Sequence, residues 1–270
     1  MICSKSLYTP TFENTNTNTF KNKRFNIKSS VCAVSKNNIE ATNNPLNCGE
    51  DSFYLNVCRK YNTISMGVAD GVGGWNEFGI SPALFARQLM DNAYNESIIE
   101  DNPKKIIENA YTNLLNKPNI FGSSTCCILY IDADNVLHSA NIGDSGWIII
   151  RDGIITSRSS IQKVDVYCPK QLANIPPHLN HINAIQTPLT DIDYTTTELL
   201  PNDIIIMATD GLWDNIYNDA NYDVLAKKVY ALYNEKCTPH GIATRLLYNA
   251  KSCWKKPDDI TIIVSIVTRK

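Results

Sequence analysis

Aspartates recur in four short motifs along this chain: Ala69-Asp70-Gly71-Val72-Gly73-Gly74, Gly143-Asp144-Ser145, Thr209-Asp210-Gly211-Leu212-Trp213-Asp214 and Asp258-Asp259-Ile260-Thr261. Each sits where an apolar, strand-like run breaks or begins. Carboxylates set at strand ends by a rigid sheet can converge on hard divalent cations, which prefer oxygen ligands and tolerate bound water. A pair of such cations sharing carboxylates and a bridging water would generate hydroxide near neutral pH and hold a phosphate for in-line attack. No protein nucleophile is then required. Taken singly, any of these motifs reads as a tight turn, since Asp-Gly is a common turn dipeptide. The joint occurrence of all four, with Gly49-Glu50-Asp51 at the head of the first strand, points to one shared site.

The elements that would position these carboxylates follow from the apolar patterning. Phe53, Leu55 and Val57 alternate with polar residues and precede the run Ile64–Ala69, which predicts a hairpin delivering Asp70 at the end of its second strand. Ser81-Pro82 and Asn102-Pro103 are helix-start signals, each with a capping residue and proline at the first position. The first of these helices carries Leu84, Phe85, Leu89 and Ala93, the second Ile106, Ile107, Ala110 and Leu114. Residues 123–157 read as an antiparallel meander, and Ser157 to about Thr197 as a loop or flap. A strand over Ile204–Ala208, two helices through Val224–Leu232 and after Thr238-Pro239, and a last strand over Ile260–Val267 complete the order. That order fits an α+β fold, an α-β-β-α sandwich of two antiparallel sheets flanked by helix pairs.

Composition narrows the class. With 43% hydrophobic and 19% charged residues in 270, the chain suits one globular domain, and its apolar runs are far short of the roughly 20 residues of a membrane helix. Residues 1–38 hold six Lys/Arg against Glu13, leaving 19 basic and 26 acidic residues in the remainder. An acidic body without a basic stripe argues against a nucleic-acid partner. The nine cysteines are scattered and form no C-x-x-C pair, so neither a disulfide framework nor a zinc site is expected. Adjacent Cys126 and Cys127 must face opposite sides of a strand.

Residues 1–38 are rich in Ser, Thr and Asn, include Asn14-Thr15-Asn16-Thr17-Asn18-Thr19, and are set outside a 39–270 catalytic domain. They read as an organellar transit peptide, with Val31-Cys32-Ala33 similar to a plastid processing site, so a plastid is favoured over a mitochondrion. A disordered Asn-rich tail is the alternative.

The motif set resembles the metal-dependent serine/threonine protein phosphatases of type 2C, from about Gly49 to Val267. Gly-Val-Ala-Asp-Gly-Val-Gly-Gly-Trp (67–75), Gly-Ser-Ser-Thr (122–125), Ala-Asn-Ile-Gly-Asp-Ser-Gly (140–146), Ala-Thr-Asp-Gly-Leu-Trp-Asp-Asn (208–215) and Lys-Pro-Asp-Asp-Ile-Thr (256–261) resemble its short organellar branch. The resemblance implies two core Mg2+ or Mn2+ ions and phosphoserine or phosphothreonine substrates in proteins. Asp70 would bridge both ions, the Gly71 carbonyl and a water held by Glu50 would serve one, and Asp210 and Asp258 the other. Asp51 would orient metal-bound water, Asp144 and Asp214 match positions that hold a third, looser ion, and Asp259 is assigned no metal.

Two departures accompany the match. Val72 stands where many members have a histidine taken to protonate the leaving alkoxide, and Leu46 stands where many have a phosphate-binding arginine. None of His138, His178, His181 and His240 lies in a motif that nominates it as the acid, which leaves a metal-bound water as the expected donor. The metals alone, or a further cation such as Lys170 in the flap, are expected to bind the phosphoryl oxygens. A silent, phosphoprotein-binding module and a small-molecule phosphatase on the same site are the competing expectations. Six acidic ligands favour the enzyme, because a carboxylate cluster without cations repels itself.

Overall fold

The computed structural model describes residues 25–38, 40–58, 61–166, 168–216, 222–252 and 256–269. Ten strands form two antiparallel sheets. In spatial order the first holds β1 (Phe25–Val34), β12 (Ile260–Arg269), β11 (Ile204–Ala208), β7 (Gly146–Arg151) and β8 (Ile154–Arg158). The second holds β10 (Asp193–Glu198), β6 (Val136–Ile142), β5 (Cys126–Ile131), β3 (Thr63–Asp70) and β2 (Asp51–Cys58). A short pair, β4 (Gly122–Ser124) with β9 (Leu172–Asn174), stands apart from both.

The period-2 alternation of the strands sorts their apolar side chains into layers. Met66, Val68, Cys127, Leu129 and Ile131 of the second sheet meet Trp147, Ile149, Ile205, Met207 and Ile263 of the first, all within 1% of full burial. On the outer face of the second sheet, Cys126, Ile128, Ala140 and Ile142 pack under α1 (Pro82–Glu96) and α2 (Pro103–Leu115). On the outer face of the first, Ile148, Ile206, Ile262 and Val264 pack under α4 (Tyr222–Asn234) and α5 (Pro239–Ser252). The architecture is the expected α-β-β-α sandwich, and Cys126 and Cys127 do face opposite layers. The Asn102 carboxamide accepts from the backbone N–H groups of Lys104 and Lys105, which starts α2 as its sequence signal implied.

Four expectations need correction. The fold does not begin at residue 39: β1 pairs along its whole length with β12, from Phe25 opposite Arg269 to Val34 opposite Ile260. Basic, Ser-rich composition masked this strand, whose Phe25, Cys32, Ala33 and Val34 are nonetheless core residues. Val31-Cys32-Ala33 therefore lies inside a paired strand, where cleavage would divide it. The meander of 123–157 is split between sheets, because the chain crosses at Gly143-Asp144-Ser145 from β6 in one to β7 in the other. The flap contains β9 and the edge strand β10, and Asp210 opens a short helix for which no expectation was set, α3 (Asp210–Ile216).

A chain starting at residue 39 should expose the edge of β12 and lose the packing of Phe25, Cys32 and Val34. We expect it to melt at least about 10 °C below a chain starting at residue 25, or to be insoluble. Equal melting temperatures would show that β1 is dispensable.

Candidate metal centre

The two sheets bring their carboxylates to one end of the sandwich. Asp51 opens β2 directly opposite Asp70 at the end of β3. Across the sandwich, Thr209 follows β11 and Thr261 lies in β12, and both hydroxyls donate to Asp51 Oδ2 at 2.8 Å. These two bonds tie the sheets together through one carboxylate that is 1% exposed. The threonines are themselves linked, Thr261 N–H donating to Thr209 Oγ1 at 3.1 Å. Asp51 Oδ1, by contrast, is buried without a hydrogen-bond partner among the described residues.

Asp70 is held by Thr125, which accepts from its N–H at 3.1 Å and donates its own N–H to the Asp70 carbonyl at 3.0 Å. The next residue must be glycine: a Cβ on Gly71 would lie 2.6 Å from the Pro82 carbonyl oxygen and 2.8 Å from that of Glu50. Gly71 N–H donates to the Glu50 carbonyl, which fixes the Glu50 loop beside Asp70. The Glu50 carboxylate accepts from Asn76 Nδ2 at 2.6 Å and from Lys36 Nζ at 2.8 Å.

Asp210 begins α3 and Asp214 follows one turn later on the same face. Lys256 Nζ stands between them and Asp258, at 2.8 Å from Asp210, 3.4 Å from Asp214 and 3.1 Å from Asp258. Asn215 holds the Lys256 main chain through both its N–H and its carbonyl. Asp144, at the crossing between sheets, is buried and pairs with Lys163 Nζ at 3.3 Å, and its Oδ1 has no partner among the described residues. Asp210 Oδ1 has none either.

Like charges so close resist ionisation together. Burial first, then Asp210, Asp51 and Asp258, push Asp70 well above the ordinary 3.8. Asp51 is likewise raised, by burial and Asp259, against the opposing Thr261 and Thr209 hydroxyls. Asp258 is raised by burial and Asp210, and Asp144 is pushed up to about 6 by burial and Asp210. Burial would depress Lys256, but Asp210 and Asp258 outweigh it and hold the ammonium charged. The group fits divalent cations on its donor set: hard oxygens, mutual repulsion, and three buried carboxylate oxygens on Asp51, Asp144 and Asp210 that lack partners.

Every aspartate and glutamate expected at the site lies in this end of the sandwich. Sequence patterns assigned no role to Lys36, Lys256, Asn76, Thr209 or Thr261, and to Asp259 only the absence of a metal. Both Thr209 and Thr261 stand in quoted motifs, so the signal was present without a role attached. Asp259 has a structural one: Oδ1 accepts from Lys36 N–H at 2.7 Å and Oδ2 from Glu50 N–H at 2.6 Å. Gly49, at φ +77°, gives that carboxylate its room, because a Cβ there would collide with it. Lys170, by contrast, is engaged by Asp191 at 2.7 Å. Val72 offers only its N–H, donated to the Ser123 carbonyl at 3.0 Å.

A family model described as Stage II sporulation protein E (SpoIIE) matches residues 61–268. Protein phosphatase PTC7 homolog fig of Drosophila virilis is 39% identical over 249 residues, covering 80% of this chain and 77% of that protein. The chain belongs to the type 2C serine/threonine protein phosphatases. Protein phosphatase PTC7 homolog of Homo sapiens is 32% identical over 247 residues, 81% of this chain and 79% of that protein. Among solved structures, the photosystem II phosphatase PBCP has a TM-score of 0.72 at 22% identity and covers 90% of this chain and 99% of that one. The catalytic domain of the serine/threonine protein phosphatase PstP, solved with two manganese ions, has a TM-score of 0.61 at 17% identity, with 90% and 98% coverage. These two share the type 2C fold with the present phosphatase.

The raised aspartates set the pH dependence of the metal-free phosphatase. A carboxyl raised in the folded state binds more protons there than when unfolded, so its contribution is present below 3.8 and is lost as pH rises through about 6 for Asp144. Chelator-treated protein should therefore melt lower at about pH 7 than at about pH 5, and added Mn2+ should remove most of that slope. A melting temperature independent of pH without metal would contradict the buried-carboxylate electrostatics.

Proposed function

We propose that this metal-dependent phosphatase removes phosphate from phosphoserine and phosphothreonine in proteins at a centre of two Mg2+ or Mn2+ ions, with Asp144 and Asp214 available to a third. The observation that carries the residue assignment is the set of buried, partnerless carboxylate oxygens on Asp51, Asp144 and Asp210, with Asp51 and Asp210 acting on Asp70 and Asp210 also on Asp144. Asp70, the Gly71 carbonyl, Glu50, Asp210 and Asp258 would hold the core ions. Such ions, when bound, lower the pKa of water and offset the charge of the phosphoryl oxygens.

The chain's own groups then have separate tasks. Thr209 and Thr261 fix Asp51 by Oδ2, which leaves Oδ1 to orient the attacking water. Asn76 and Lys36 aim the Glu50 carboxylate, and Thr125 fixes the strand end that carries Asp70. The Val72 side chain has no proton to give, so the acid for the leaving alkoxide would be a water held by the ions when they are bound.

The organellar reading is retained with a changed boundary. The segment before Phe25 holds Lys5, Lys21, Lys23 and Arg24 against Glu13, and is rich in Ser, Thr and Asn, as import presequences are. Processing that left the sheet intact would fall upstream of β1.

Asp210→Asn should cut manganese-dependent hydrolysis of a phosphothreonine peptide by more than about 100-fold, since even residues one step removed from a metal typically matter by 10–100-fold. Its metal-free melting curve should stay cooperative. Wild-type-like turnover by this variant would remove Asp210 from the centre.

A further inference from the structure

Position 46, matched by resemblance to the family's phosphate-binding arginine, carries a leucine that is 64% exposed and has no charge to offer. Any protein cation that assists bound metals in phosphoryl capture has to come from another residue. Several cations near the acidic end are committed elsewhere. Lys256 is enclosed by Asp210, Asp214 and Asp258, Lys163 faces Asp144 at the crossing loop, and Lys170 pairs with Asp191. Arg87 donates to the carbonyls of Leu46 and Gly49, and the Arg158 guanidinium sits over the Tyr222 ring, 5.5 Å from its centroid.

Lys36 differs from these. It lies just past the end of β1, and its N–H is fixed by the same Asp259 carboxylate that fixes the N–H of Glu50, so its main chain shares one clasp with the site. Its Nζ projects over the rim, 2.8 Å from Glu50 Oε2 and 4.0 Å from Asp258 Oδ1. The central pair below is more deeply set: Asp51 is 1% exposed, whereas the Lys36 side chain is 33% exposed. An ammonium has three N–H donors, and among the described residues only the one to Glu50 is within hydrogen-bonding distance. The ammonium is partly open to solvent, its side chain 33% exposed, while it stands beside Glu50 and within 4.0 Å of Asp258. A phosphate monoester arriving there meets a positive group carried on a clasped main chain before it meets the acids.

We propose that Lys36 is the phosphoryl-binding residue of this phosphatase, donating to a non-bridging oxygen of the substrate phosphate in place of the guanidinium that Leu46 replaces. The proposal rests on the phosphatase reading of the site but is separable from it, because anion affinity can be measured without turnover. The inference also gives β1 a functional end: the strand that composition hid carries the cation at its exit. No bond is made or broken by Lys36; it holds the dianion and leaves proton transfers to water.

The test uses the chain from residue 25 with saturating Mn2+, comparing wild type, Lys36→Met, Lys36→Arg and Lys256→Met. Inorganic phosphate and Mn2+ affinities are measured by calorimetry, and kcat/KM with a phosphothreonine peptide. A charged hydrogen bond is worth roughly 10–100-fold in affinity, so Lys36→Met should weaken phosphate and lower kcat/KM by about that factor. Its Mn2+ affinity should change by less than its phosphate affinity, and Lys36→Arg should recover most of the loss. Lys256→Met should move Mn2+ affinity more than phosphate affinity. Unchanged phosphate affinity in Lys36→Met, with or without altered Mn2+ affinity, would overturn the proposal and leave Lys36 at most a counter-ion for Glu50. Wild type that binds phosphate through Lys36 yet hydrolyses nothing would sink the enzyme reading and leave this assignment standing.

Discussion

Carboxylates crowded into one buried mouth repel one another, and most of the local structure around that mouth exists to hold them against this repulsion. Asp51, Asp210 and Asp258 all raise the proton affinity of Asp70. The scaffold answers with fixed dipoles and covalent stiffness. Two threonine hydroxyls pin Asp51, a threonine brackets the strand end at Asp70, and a glycine without Cβ lets the Glu50 loop approach. Two lysines supply compensating charge at the rim. Such an arrangement is poorly suited to stabilising the protein on its own and well suited to cations, which is the usual compromise at a functional site.

The same constraint explains why the sandwich is built from two sheets. One sheet alone could present Asp51 and Asp70, as neighbours in a hairpin, but Asp210 lies just past β11 and Asp258 just before β12, strands of the other. Packing of the inner layer, Met66 and Leu129 against Trp147 and Met207, sets the distance between the two halves of the site. Asp144 joins from the segment where the chain passes between sheets. The hydrogen bonds from Thr209 and Thr261 to Asp51 then close the end of the sandwich, so the inter-sheet spacing and the geometry of the site are one property.

How much of this could be read beforehand depended on the kind of signal. The aspartates stood out because Asp-Gly steps at strand ends are local and recur in order, and the helix starts at Asn102-Pro103 and Ser81-Pro82 are local too. The strand β1 was hidden because its partner is β12, more than 200 residues away, and an edge strand with polar outward positions looks like a disordered tail. Lys36, Asn76 and Asp259 act only through contacts between distant segments, which no local pattern encodes. The passage of the chain between sheets at Gly143–Ser145 escaped for the same reason: a turn within a meander and a crossing between layers use similar residues.

The central claim is that this acidic end is a divalent metal centre organised around Asp70. A crystal of the chain from residue 25 grown with Mn2+, with data collected for anomalous scattering at the manganese edge, tests it most directly. The account predicts two strong peaks bridged by the Asp70 carboxylate, one beside the Gly71 carbonyl and Glu50 and one beside Asp210 and Asp258, with Lys256 displaced from Asp210. Manganese found away from Asp70, or Lys256 still seated between Asp210 and Asp258 at saturating metal, would contradict it.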